Sequence, residues 1–112
     1  MACVLIVDDD EAFREGLCET LRDLGHEVLE AGSTDGGLHR LRTEQPDLAL
    51  IDLRMPGEGG MALLARAAEL SPRTLCVVLT AFANGQNTIE AMRLGAFDHL
   101  TKPISRQQLV LG

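Results

Sequence analysis

Cys3-Val4-Leu5-Ile6-Val7-Asp8-Asp9-Asp10 begins with apolar residues that do not alternate with polar ones and closes on three carboxylates. A strand that is apolar at every position is covered on both faces, the situation of a parallel sheet held between two layers of helices. The acids then mark the carboxyl end of that strand. Glu27 to Ala31, Leu48 to Ile51, Leu75 to Leu79 and Phe97 to Leu100 read as four more strands, several of them likewise without alternation, with stretches of helical period between them. Phe13, Leu17, Leu21 and Leu24 recur at three or four residues, and Gly25 supplies a left-handed helix stop. A second helix is expected over Thr34 to Glu44, with Leu38 and Leu41 inward. Its Gly36 and Gly37 each cost about 1 kcal/mol relative to Ala, so it should be the loosest of the set. Met61 to Leu70 reads as a third helix ended by Ser71-Pro72, and Thr88 to Leu94 as a fourth stopped by Gly95. Ser105 and Gln108 form a capping box for a fifth. So few residues follow Gln108 that this helix is expected to be cut short, or the chain to be excised from a longer protein. Alternating strands and helices predict one α/β domain over residues 1–112, a doubly wound parallel sheet.

Composition narrows the function. The 112 residues carry 17 acidic and 10 basic side chains, a formal charge of −7, and are 46% hydrophobic. A chain of this length buries roughly 60–70% of its unfolded surface, enough for a core without a metal or disulfide staple. With a negative net charge and only Phe13, Phe82 and Phe97 as aromatics, direct binding of nucleic acid by this segment is not expected. No apolar run approaches the ~18 residues of a membrane span, and the first ten residues lack the basic start of a signal peptide. A soluble, cytoplasmic protein is expected. Cys3, Cys18 and Cys76, widely spaced among apolar neighbours, read as reduced core thiols.

In doubly wound sheets ligands bind beyond the carboxyl ends of the strands, where strand order reverses. Strand one ends in Asp8, Asp9 and Asp10, strand three in Asp52, strand four in Thr80, and strand five in Thr101, Lys102 and Pro103. With strands in the order 2-1-3-4-5, the acids of strands one and three face one another. Close carboxylates repel by on the order of a few kcal/mol per pair at intermediate dielectric. They call for a cation, and an all-oxygen donor set suits Mg²⁺. A lysine opposite them would touch both a carboxylate and an incoming anion. Carboxylate nucleophile, metal, lysine and hydroxyl together make a phosphoryl-transfer site. Each piece has a bland role as well: Asp10 caps the next helix, Thr80 suits a strand, and Lys102-Pro103 suits a solvated loop. The weight lies in their coincidence at one edge of the sheet.

At these residues the sequence resembles the receiver domain of two-component response regulators. Val7-Asp8-Asp9 is similar to the family's acidic pair, Leu50-Ile51-Asp52-Leu53-Arg54-Met55-Pro56-Gly57 to its phosphoacceptor loop, Leu79-Thr80-Ala81 to its hydroxyl position, and Thr101-Lys102-Pro103 to its lysine. The resemblance covers essentially the whole chain. It implies the flavodoxin-like receiver fold, order 2-1-3-4-5, and a regulatory domain, not an enzyme, that assists its own phosphoryl transfer and dephosphorylation. Asp52 would accept the phosphoryl group from a sensor histidine kinase. Asp9 and Asp52 would ligate Mg²⁺ directly, Asp8 largely through water, and the Arg54 carbonyl would be a further ligand. Thr80 and Lys102 would hold phosphoryl oxygens, the Lys102-Pro103 bond would be cis, and Gly57 to Gly60 would form a mobile loop. The change would pass from Thr80 to position 99 and out through the fourth helix, strand five and the fifth helix to an output domain or partner, a surface on which two copies would also pair as a homodimer.

His99 departs from the pattern, which has Tyr or Phe three residues before the lysine; imidazole is smaller and carries charge when protonated. His26 and His39 have no partners at ligand spacing and read as surface residues. Asn87 to Asp98 is similar to receivers of the nitrogen-regulation type, placed ahead of an ATPase that activates an alternative sigma factor, which implies transcription regulation. Other readings fit less well. A haloacid-dehalogenase-type hydrolase or a calcium loop would use Asp8 and Asp10, but Ala12 breaks both patterns. Gly57, Gly59 and Gly60 make no Walker or dinucleotide fingerprint. The runner-up is a pseudo-receiver, an interaction module without phosphorylation, against which the intact set Asp8, Asp9, Asp52, Thr80 and Lys102 speaks.

Overall fold

Five strands close into one parallel sheet in the computed structural model, which describes residues 2–55, 59–81 and 85–111. The elements alternate as β1 (Cys3–Val7), α1 (Glu11–Asp23), β2 (Glu27–Ala31), α2 (Thr34–Glu44), β3 (Leu48–Asp52), α3 (Gly59–Leu70), β4 (Leu75–Thr80), α4 (Gln86–Arg93), β5 (Asp98–Thr101) and α5 (Arg106–Leu111). The strand order is β2-β1-β3-β4-β5. The apolar strands feed two cores because successive side chains point to opposite faces. Leu5, Val7, Ala49, Ile51 and Val78 pack on one face with Leu41 of α2, Leu63 of α3 and Ala91 of α4. Val4, Ile6, Leu50, Val77 and Leu79 pack on the other with Leu17, Cys18 and Leu21 of α1 and Leu109 of α5.

The helix ends follow local chemistry. Asp10 caps α1 by accepting from the Phe13 N–H at 3.1 Å, and Ser33 caps α2 through the Gly36 N–H at 3.1 Å. The Ser105–Gln108 box is reciprocal: the Ser105 N–H donates to Gln108 Oε1 at 2.9 Å and the Gln108 N–H to Ser105 Oγ at 3.2 Å. Two glycines hold the layers close. A Cβ at Gly37 would sit 2.8 Å from Leu63 Cδ2, so what this residue costs α2 in helix propensity permits tight packing on α3 and β1. A Cβ at Gly60 would overlap the Asp52 carbonyl oxygen, a backbone atom that cannot yield, so α3 starts hard against the end of β3.

Several boundaries differ from the sequence reading. α3 begins at Gly59, not Met61, so Gly59 and Gly60 belong to a buried helix turn packed on the Asp52 backbone and not to the mobile loop expected over Gly57 to Gly60, and α4 begins at Gln86, not Thr88. Gly85 occupies the N-cap position of α4 with no side-chain hydrogen bond, so no capping residue marks that start. β5 begins at Asp98, leaving Phe97 65% exposed with its N–H donating to the Cys76 carbonyl at 2.8 Å. Pro56 and Gly57 of the loop motif, and Phe82, lie outside the described residues. The three cysteines are free thiols; Cys18 and Cys76 are buried, and burial pushes both up to about 11. Among the described residues no helix is long and apolar enough to cross a membrane.

Candidate functional site

The strand order reverses between β1 and β3, and the chain from β1 to α1 leaves that point in one direction while the chain from β3 to α3 leaves it in the other. Asp8 follows β1 directly and is completely buried; Asp52 ends β3 and is 5% exposed; Asp9 is exposed. One carboxylate oxygen from each of Asp8, Asp9 and Asp52 lies within 4.8 Å of the others. Backbone donors fix the two buried acids. Asp8 Oδ1 accepts the Asp10 N–H at 2.9 Å, and Asp52 Oδ1 accepts the Arg54 N–H at 3.1 Å, while the Arg54 side chain is exposed.

Lys102 enters from β5. Its N–H donates to the Thr80 carbonyl at 2.8 Å, and the Lys102-Pro103 bond that follows is cis. Nζ lies 3.0 Å from Asp8 Oδ2 and 3.7 Å from Asp52 Oδ2, with the side chain 26% exposed. Two buried carboxylates thus share one ammonium, with the Asp9 carboxylate beside them. Burial pushes the Asp52 carboxyl up to about 6; the Arg54 N–H opposes this, the charge of Asp8 adds to it, and Lys102 opposes it again.

Thr80 ends β4, paired with Thr101, and its hydroxyl accepts from the Thr88 hydroxyl of α4 at 3.3 Å. His99 pairs with Val78, so by the two-residue alternation of a strand it shares the Thr80 face of the sheet. Its side chain is 34% exposed, with Nδ1 3.6 Å from Asp98 Oδ1. A cavity of about 160 Å³ opens beside Thr80, between Arg54 and Thr88. A larger one, about 330 Å³, lies at the opposite end of the sheet beneath Val4, Leu50 and Leu109, and none of the acidic cluster lines it. Asp10 stands at the α1 cap, His39 is exposed, and His26 is half-buried with Nδ1 accepting the Ala2 N–H at 3.3 Å.

The sequence reading brings Asp8, Asp9, Asp52, Thr80 and Lys102 to one edge, and the fold does so. It misses Phe13, whose ring centroid lies 4.2 Å from Lys102 Nζ, and Arg14. Arg14 Nη1 donates to the Asp8 carbonyl at 2.7 Å while its Nε donates to Glu30 Oε1 at 3.0 Å. The available signal for Arg14 was Glu30 itself: a carboxylate set between apolar residues of a strand calls for a cation nearby.

The chain matches the response regulator receiver domain over residues 4–111. It is 38% identical over 97% of its length to the response regulator protein FleR of Pseudomonas aeruginosa, and 34% identical over 97% to the DNA-binding transcriptional regulator NtrC of Azospirillum brasilense. It spans 23% of each of these two longer proteins. A crystal structure of a Burkholderia pseudomallei response regulator with a phosphorylated aspartic acid, calcium ion and citrate superposes with a TM-score of 0.91 at 27% identity, covering 98% of this chain and 65% of that one. With the β2-β1-β3-β4-β5 order and the acids at its switch point already in place, the chain belongs to the receiver domains of two-component response regulators.

Proposed function

We propose that this domain is a phosphorylation-activated switch in which Asp52 accepts a phosphoryl group from the phosphohistidine of a sensor kinase. The observation that carries this reading is Lys102 Nζ poised 3.0 Å from Asp8 and 3.7 Å from Asp52, an ammonium placed to meet incoming phosphoryl oxygens beside a buried carboxylate. In the transfer an Asp52 oxygen bonds phosphorus as the phosphorus–nitrogen bond breaks, and the imidazole leaves with that electron pair and takes a proton. The Arg54 N–H holds Oδ1, which leaves Oδ2, on the Lys102 side, to attack. Lys102 and the Thr80 hydroxyl take phosphoryl oxygens, and such positioning supplies most of what phosphoryl transfer requires.

A donor set of three carboxylates free of nitrogen and sulfur fits Mg²⁺; as the resemblance implies, Asp9 and Asp52 would hold it directly, Asp8 through water, and the Arg54 carbonyl would be a further ligand. When bound, the ion neutralises charge developing on the phosphoryl oxygens. The same residues, with a water in place of the imidazole, support loss of the phosphoryl group.

Drawn toward the phosphoryl group, the Thr80 hydroxyl exchanges its Thr88 contact for the new one, and His99 on the same face turns toward the vacated space. Phosphorylation favours this arrangement only by binding it better. The change leaves through α4, β5 and α5, where Ile89 and Met92 are exposed, to an output domain or a second copy. Likeness to the DNA-binding transcriptional regulator NtrC supports an output in transcription regulation, which acts where the DNA lies, in the cytoplasm. Acetyl phosphate with Mg²⁺ should label the unmutated protein as an acyl-phosphate, and Asp52→Asn should abolish the label while the far-ultraviolet dichroism is unchanged. Absence of label on the unmutated chain would favour the pseudo-receiver, and label persisting in Asp52→Asn would reassign the acceptor.

A further inference from the structure

Lys102 Nζ is held from three elements: Asp8 after β1 at 3.0 Å, Asp52 on β3 at 3.7 Å, and the ring of Phe13 on α1, its centroid at 4.2 Å. The first two contacts are carboxylates that the phosphoryl-transfer reading commits to other tasks. The third is uncharged and competes for neither the phosphoryl group nor a cation. An aromatic face attracts an ammonium through its quadrupole, and most strongly where water is scarce. The lysine stem is flexible, so a contact that persists while the carboxylates engage elsewhere limits the freedom Nζ would otherwise regain.

The ring is itself fixed. The Phe13 N–H donates to the Asp10 cap at 3.1 Å, and the half-buried side chain packs on the core that α1 shares with β1. The next residue, Arg14, holds the Asp8 carbonyl at 2.7 Å, so neighbouring residues of the first turn of α1 hold both members of the Asp8–Lys102 pair. From this geometry we infer that Phe13 is a positioning residue for Lys102, keeping its ammonium over the phosphoryl site through the transfer. The inference rests on the phosphoacceptor reading of Asp52 and adds to it a residue that touches neither phosphoryl group nor metal.

Two readouts test it on Phe13→Leu, which keeps an apolar side chain, and Phe13→Tyr, which keeps the ring. In proton–carbon spectra of the resting protein, the ring current should move the Lys102 ε-methylene upfield in the unmutated chain and in Phe13→Tyr, and the shift should vanish in Phe13→Leu. At saturating Mg²⁺, acetyl phosphate labelling should slow by about three- to tenfold in Phe13→Leu, the loss expected for one ring contact to an ammonium, with the Mg²⁺ half-saturation point unchanged and the rate restored in Phe13→Tyr. A Lys102 ε-resonance at its ordinary position in the unmutated protein overturns the inference whether or not any variant folds. Equal labelling rates for Phe13→Leu and the unmutated chain also overturn it while sparing Asp52 as acceptor. An unmutated chain that takes no label overturns the acceptor reading, and the inference with it.

Discussion

The sheet has two unequal halves. β1 and β3 are buried at every residue but the first, and the helices beside them start under side-chain or close backbone constraint: Asp10 at α1, Ser33 at α2, Gly60 against the Asp52 carbonyl at α3. β5 has no fully buried residue, α4 is eight residues long with no side-chain cap, and Ile89, Met92, Leu94 and Phe97 are all more than a third exposed. The acids stand on the tightly packed half. Thr80 and His99 stand where it meets the looser one. Chemistry that depends on carboxylates held within a few ångströms is carried by packed strands, whereas a response that must move at small cost is drawn from the low-stability end of a structure.

The largest expected effect tests this contrast in stability. Ile51→Ala empties a site in the centre of β3 and should cost about 2–5 kcal/mol, the range for deleting a fully buried aliphatic side chain. Leu100→Ala, at a half-buried position of β5, should cost less than half as much. Urea unfolding of the two variants checks it, and similar losses would mean that the halves are equally well packed and the contrast is one of surface exposure alone.

What the sequence discloses follows the same division. Strands β1 and β3 are legible because burial on both faces imposes an unbroken apolar run, and the acids at their ends mark the sheet edge where a site must lie. Asp10 and the Ser105–Gln108 box are legible because capping is local. The start of α4 is not, since Gly85 caps with backbone alone, and β5 is short enough that Phe97 is mistaken for its first residue. Phe13 is visible only as one member of an apolar stripe, because its meeting with Lys102 depends on the lysine that follows β5 reaching across the sheet edge to the first turn of α1. Arg14 and Glu30 meet because β2 pairs with β1 in a register that sets Glu30 opposite Ile6, which periodicity does not reveal.

A second, smaller effect concerns the electrostatic strain confined to the packed half. Burial raises the folded-state Asp52 carboxyl from 3.8 to about 6, so between those values the folded state holds more protons than the unfolded one. Stability of the metal-free protein therefore falls as pH rises through that window and levels off above it. Asp52→Asn removes the dependence: the variant should melt close to the unmutated protein near pH 4 and above it at pH 7.5. Mg²⁺ should narrow the gap at pH 7.5 by stabilising only the protein that retains the carboxylate. A gap that does not vary with pH would place the cost of Asp52 in packing rather than charge.

The smallest expected effect bears on the looser half, where a slight stabilisation should oppose function. Gly85 has φ −73° and ψ 158°, an extended conformation that serine adopts without strain, and it stands at the N-cap of α4 without a side-chain acceptor for the helix's first N–H groups. Gly85→Ser supplies one. The gain should be only a few tenths of a kcal/mol, equivalent to about 1–2 °C in melting temperature for a domain of this size. α4 also carries Thr88, whose hydroxyl donates to Thr80, so in the proposed switch tightening its first turn would favour the arrangement in which Thr80 faces α4 and not the proposed phosphoryl site. A ligand shifts such an equilibrium only by its differential affinity, so even a few tenths of a kcal/mol favouring the resting arrangement lowers the active fraction at saturation. Amide shifts of α4 on adding beryllofluoride, a phosphoryl mimic, should therefore be smaller in Gly85→Ser than in the unmutated protein, in proportion to the gain in stability. Shifts of full size in a variant that melts higher would show that the first turn of α4 keeps its structure through the transition, and would move the yielding part of the looser half to β5 and His99.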